Sequence, residues 1–181
     1  MTERKLVPHP LSVVHTIDAF AAEWERDGAR LWLRYMLDIP LDNLVMPGPA
    51  DGERADNLWQ TTCFELFARS PGEASYAEFN FSPSSQWAAY AFAGYRDPQG
   101  NINLSVAPEI CLDAGAEWVN VEVTLILPEP WARAPLELAL SAVIEESDGA
   151  KSYWALAHPP GKPDFHHPDC FALTLPAPEQ T

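Results

Sequence analysis

The sequence predicts an all-β fold, a two-sheet antiparallel β-sandwich of jelly-roll type. Eighteen of its 181 residues are proline, about twice the usual share, and a proline inside a helix costs about 3 kcal/mol. Long helices are therefore disfavoured. Apolar residues recur mostly with period two, the spacing of a strand with one face on a core. These runs follow one another between turn residues with no alternation of strand and helix, which is the pattern of a sandwich, with a closed barrel as the alternative.

In chain order, Ala21 to Glu25 and Arg30 to Leu37 form a hairpin across Asp27-Gly28, the second strand placing Leu31, Leu33, Tyr35 and Leu37 on one face. Shorter strands are expected at Cys63 to Ala68, Tyr76 to Ser82, Trp87 to Phe92 and Ile102 to Val106, each bounded by Pro, Gly, Ser or Asp. Trp118 to Leu127 alternates Val119, Val121, Val123, Leu125 and Leu127 against Asn120, Glu122 and Thr124. Leu136 to Glu145 alternates in the same way through Leu138, Leu140, Ala142 and Ile144. Ser152 to Leu156 and Cys170 to Leu175 complete the set.

The length suits one domain spanning residues 1–181 around one core. With 47% hydrophobic and 20% charged residues the chain is too apolar to be disordered. Twenty-six acidic residues against eleven basic ones give a net charge of -15, which repels phosphate backbones and anionic lipid headgroups. Nucleic acid and membrane are accordingly not expected as partners. The opening MTERKLVPHPLSVV lacks the apolar run and cleavage site of a signal peptide, so a cytoplasmic protein is expected. Cys63, Cys111 and Cys170 lie far apart and form no CxxC pair, so reduced and mostly buried thiols are expected.

Two stretches carry candidate chemistry. One runs from Leu58 to Phe67, continues through Tyr76 to Pro83, with Glu78, Asn80 and Ser82 on one strand face, and ends at Gln86 to Tyr90. The other runs from Ser152 through Pro159, Pro160 and Pro163 to Phe171, joining aromatics, histidines and carboxylates in one loop. A sugar offers an apolar C–H face and a rim of hydroxyls, and its site needs a flat ring beside carboxylate, amide and imidazole groups. Both stretches supply that set. Glu65 stands inside the apolar run CFELF, where an unpaired buried carboxylate costs several kcal/mol, so it must face solvent, a ligand or a partner such as Arg96 or Arg69. Asn80 could equally satisfy backbone groups, and Trp87, Tyr90 and Trp154 are expected in the core.

The segments WQTTCFELF, YAEFNFSPSSQWAAYAF and SYWALAHPPGKPDFHHPDCFAL resemble the DOMON-like ligand-binding family, related to the family 9 carbohydrate-binding modules. The resemblance implies a jelly-roll-like sandwich that binds a sugar or, in other branches, haem. It also implies that Trp59 stacks on the ligand while Glu65 grips hydroxyls. Where the sugar-binding relatives carry a second tryptophan, this chain has Phe165, His166 and His167.

The expected function is that of a module binding a small carbohydrate or sugar-containing metabolite, with Trp59, Glu65, Asn80, Arg96, His166 and His167 as the ligand-binding residues. A structural or protein-interaction domain is the alternative. A glycosidase would need Glu65 and Glu145 or Glu146 about 5 to 10 Å apart across a cleft, and no catalytic motif accompanies them. His158, Asp164, His166, His167, Asp169 and Cys170 are metal-type ligands, but their spacing matches no standard site. No metal or other cofactor is expected, and haem would need an axial ligand in a deep apolar pocket.

Overall fold

A strand with alternate apolar residues must bury one face, and two such sheets satisfy each other by packing face to face. The computed structural model, which describes residues 2–178, has this architecture. Its strands are β1 (Thr2–Lys5), β2 (Val7–Pro8), β3 (Ala19–Asp27), β4 (Arg30–Asp38), β5 (Cys63–Arg69), β6 (Tyr76–Phe81) and β7 (Trp87–Gly94). They continue with β8 (Asp97–Asn101), β9 (Glu109–Ala114), β10 (Trp118–Ile126), β11 (Leu136–Glu145), β12 (Lys151–Ala155) and β13 (Leu173–Leu175). Short 3-10 turns occupy Leu41–Asn43, Leu58–Gln60 and Pro168–Cys170.

The smaller sheet has the order β1-β3-β4-β10-β9. The larger runs β2-β12-β11-β5-β6-β7-β8, and β13 joins the edge of β11 that β12 leaves free. Named strands pair antiparallel throughout both sheets, as expected for a sandwich. The β3–β4 hairpin closes with Asp27 opposite Arg30, and Gly28 takes the left-handed conformation (φ 57°) that its tight turn requires.

The core lies between the sheets. Leu31, Leu33, Tyr35 and Leu37 from β4 and Val119, Val121, Val123 and Leu125 from β10 face Phe64 and Leu66, Phe79 and Phe81, and the alternate leucines of β11. Trp87 and Trp154 are buried among them. Cys63 and Cys170 are buried free thiols, whereas Cys111 is exposed.

Two expected strands differ. Residues 102–106 form a loop: the Ile102 N–H still donates to the Ala89 carbonyl of β7 at 2.9 Å, but pairing ends there, and Ile102 and Leu104 reach the core through their side chains. The ladder position falls to the polar segment β8, held by its hydrogen bonds to β7 rather than by burial. Similarly, Cys170 ends a 3-10 turn, bonding back to His167, so only Leu173–Leu175 pairs with β11. The edge strands β1, β2 and β9 carry too little apolar alternation to have been expected.

Candidate functional site

Strand β6 is buried along its whole length and β5 up to Ala68, on both faces. Phe64, Leu66, Phe79 and Phe81 enter the core, so the alternation sends Glu65, Glu78 and Asn80 to the opposite, outer face of the large sheet. There Glu65 stands between Asn80 of β6 and Ser141 of β11, and Glu78 between Phe67 of β5 and Tyr90 of β7. From the core side, the buried Tyr35 hydroxyl donates to the Glu65 carbonyl oxygen at 2.8 Å. That bond fixes the site strand against the opposite sheet.

Three segments wall this face into a cleft of about 730 Å³, within the range of small-molecule sites. The 156–172 segment returns across the sheet, packing Phe165 and Cys170 against Phe67, Tyr76, Ala139, Val143 and Ala155. The β7–β8 turn approaches it, and its Arg96 donates to Asp164 Oδ1 at 2.7 Å while the Tyr95 hydroxyl donates to Asp164 Oδ2. The third wall is the 56–60 turn. Leu58 anchors it on Cys63 and Ala88, and Asp56 accepts from Tyr90 and Arg54, both at 2.7 Å. Asn57 (φ 63°) and Arg96 (φ 53°) hold left-handed backbone conformations in two of these walls, a strain that concentrates at functional sites.

Trp59 projects from the third wall with half its surface exposed (51%). It faces a lining of Tyr90, Phe92, Tyr153 and Phe165, with Glu65, Glu78, Asp56, Asp164, Arg96 and His166 as the polar groups. A second, smaller depression of about 240 Å³ lies at Glu25, Asp27, Arg30 and Trp32 on the other sheet; it too has an indole, carboxylates and a guanidinium, but Glu25, Asp27 and Arg30 are exposed to solvent rather than buried on a floor.

At the floor, Glu65 is 3% exposed and Glu78 is 7% exposed. Burial raises the Glu65 carboxyl well above the ordinary carboxylate range, and the neighbouring Glu78 charge adds to the rise. Ser141, opposite in register, offsets part of it, although its hydroxyl makes no well-formed hydrogen bond. Glu78 is also raised by burial, against the pull of its hydrogen bond from Asn80 at 2.8 Å and of Arg96. Desolvation, reinforced by Arg96, pushes the His166 imidazole down to about 4, so the ring is neutral near pH 7. Its Nδ1 meets the Tyr76 hydroxyl at 2.8 Å, and its Nε2 lies 3.7 Å from Glu78.

Of the residues expected to bind ligand, Trp59, Glu65, Arg96 and His166 line the cleft together. Asn80 and His167 do not. Asn80 is fully buried beneath the floor with its amide nitrogen spent on Glu78. His167 turns away, accepting from the Asp169 backbone N–H at 3.2 Å and packing edge-on to Tyr95. Tyr90 lines the cleft rather than the core, because even-numbered residues of β7 share the outer face with Glu78. Arg69 pairs with Glu137 and Arg96 with Asp164, so neither is the ion partner of Glu65. The carboxylate beside Glu65 is Glu78; Glu145 lies 3.7 Å from Lys151, and Glu146 accepts from His15 and Thr16.

Glu78 was legible as the i−2 neighbour of Asn80 on one strand face. Asp56 and Tyr153 were not singled out, Asp164 was named only as a metal-type ligand and Phe165 only as standing where relatives carry a tryptophan; Tyr153 comes from β12, whereas loop segments bring Asp56, Asp164 and Phe165 to the cleft. Among the described residues, no group of three or more His, Cys, Asp or Glu side chains could hold a metal ion.

No family model matches the chain, and no curated protein matches it in sequence. Its fold does match solved structures. A candidate carbohydrate-binding protein from Bacteroides uniformis superposes with a TM-score of 0.59 at 14% identity, over 93% of this chain and 83% of that one. A family 9 carbohydrate-binding module from Caldicellulosiruptor kristjanssonii, determined in complex with glucose, gives 0.52 at 12% identity, over 83% and 72% of the two chains. The fold is thus related to that of the family 9 modules. At these identities the likeness is one of fold.

Proposed function

We propose that this protein is a carbohydrate-binding module of DOMON-like type whose ligand is a small sugar held in the cleft between Trp59 and the Glu65–Glu78 floor. One observation carries the reading: a half-exposed indole stands at the mouth of a cleft whose buried floor carboxylate, Glu65, receives no hydrogen bond from the described side chains or backbone. Trp59 offers the flat apolar surface that a sugar ring covers with its C–H face. Glu65 and Glu78 offer acceptors for hydroxyls, Arg96 a donor and His166 a neutral imidazole at the rim. Two fold neighbours bearing carbohydrate-binding descriptions, one of them holding glucose, support the same ligand class.

A glycosidase reading has less support. Glu65 and Glu78 sit on adjacent strands of one sheet face, side by side on the floor, whereas acid and nucleophile must flank a glycosidic bond. The test is a panel of monosaccharides and sugar nucleotides screened by thermal shift and tryptophan fluorescence. At least one should raise the melting temperature and quench emission, and Trp59→Ala should remove the quench and reduce the melting shift at a given sugar concentration. A panel in which no sugar shifts melting would leave the interaction-domain reading.

A further inference from the structure

The floor of the cleft is short of positive charge. Arg54 is engaged by Asp56 and Asn101, Arg69 by Glu137 and Arg96 by Asp164, while Lys151 reaches the Gln60 carbonyl and Glu145. Among the described residues no arginine or lysine lies within ion-pair distance of Glu65 or Glu78; the His166 imidazole, whose Nδ1 meets the Tyr76 hydroxyl, places Nε2 3.7 Å from Glu78 but is neutral near pH 7. Glu78 has one internal donor, Asn80, and Glu65 has none. Asn80 Oδ1, an acceptor, and the Ser141 hydroxyl, opposite Glu65 in register, are buried on the same face without well-formed hydrogen bonds. Leaving several buried acceptors unsatisfied costs free energy that a well-packed domain ordinarily avoids.

We propose that the cleft selects sugars bearing a free amino group, with the ligand's ammonium seated against the Glu65 and Glu78 carboxylates. This inference rests on the carbohydrate reading and refines it. A neutral sugar supplies hydroxyl donors to the floor but no charge opposite the two adjacent carboxyls, whose ionised forms burial disfavours. An ammonium brings three donors and the opposite charge at one point. The aromatic lining, Tyr90, Phe92, Tyr153 and Phe165, adds ring faces that attract cations. The net charge of -15 favours approach of the same class.

Calorimetric titrations of the full chain with glucosamine, N-acetylglucosamine and glucose near neutral pH separate the two levels of the reading. N-acetylation keeps the ring and removes the charge. Glucosamine should bind about tenfold more tightly than either neutral sugar, the gain of a charge-assisted over a neutral hydrogen bond. Glu65→Gln and Glu78→Gln, each checked for an unchanged circular dichroism spectrum, should each erase most of that preference. Two variants guard against one that fails to fold. Glucose or N-acetylglucosamine binding as tightly as glucosamine would overturn the amino-sugar inference and leave the carbohydrate reading standing. A preference for glucosamine that survives in both folded variants would also overturn it, and binding of none of the three would overturn both.

Discussion

The outer faces of the two sheets use charge in opposite ways. On the small sheet, Arg34 lies opposite Glu23 on one side and Glu122 on the other, 3.6 Å from the latter, and these side chains remain partly exposed. The exposed parts of these side chains reach water, although Arg34 Nε itself is buried without a hydrogen bond. On the large sheet, Glu65 and Glu78 are buried side by side on the cleft floor, and Arg96, the cation that acts on Glu78, is already paired with Asp164. Exposed ion pairs contribute little to stability and carry little consequence, whereas buried carboxylates are costly and persist where they serve a ligand. Paired charge thus marks the surface of this molecule, and unpaired buried charge marks its site.

The sharpest way to break that contrast lies within one strand, where neighbours point to opposite faces. Leu66→Ala empties the core side and should cost about 2–5 kcal/mol of unfolding free energy, read from denaturant midpoints, while the folded fraction keeps its sugar affinity. Glu65→Gln should act in reverse, weakening binding by about tenfold in titration calorimetry without loss of thermal stability.

The pH profile of the free protein sharpens the same point. Because the folded Glu65 carboxyl is raised above its ordinary value of 4.5, the folded state binds its proton more tightly than the unfolded chain does. Its contribution is fully present below that value and is lost as pH rises through the raised one. The parent minus Glu65→Gln difference in melting temperature should therefore fall on going from acid to neutral pH. His166 runs the other way. Its folded value of about 4 lies below the ordinary 6.5, so its contribution is present above 6.5 and is lost as pH falls towards 4. His166→Gln should flatten the acid limb of the stability curve, and a limb as steep as the parent's would assign acid sensitivity to other groups.

Smaller effects follow at the rim and on the other sheet. Trp59→Ala should weaken sugar binding about fivefold, from the loss of ring contact, and leave thermal unfolding unchanged because the indole is half exposed. Glu122→Gln, on the solvated face, should move stability by less than about 1 kcal/mol and binding not at all. A large loss of sugar affinity in Glu122→Gln would erase the distinction between the faces.

Much of the sandwich was legible in the amino-acid sequence, because period-two alternation in Arg30 to Leu37, Trp118 to Leu127 and Leu136 to Glu145 leaves only one way to bury each apolar face. The cost of burying an unpaired carboxylate singled out Glu65 within CFELF as a residue that had to meet solvent, a ligand or a partner. Edge strands escaped, since β8 and β9 are fixed by backbone pairing and need no apolar signature. Alternation also could not say that Asn80 would turn its amide to Glu78, or that His167 would cap a 3-10 turn while its neighbour His166 lined the cleft. Strand period assigns each residue a face, and that much is local. Which cation each carboxylate meets depends on contacts between distant segments, such as Arg96 reaching Asp164 across 68 positions. By itself the sequence determined that Glu65 would need solvent, a ligand or a partner; only the tertiary structure, by committing the nearby arginines elsewhere and drawing the 156–172 segment over the outer face of β5, left that carboxylate buried and open to a ligand.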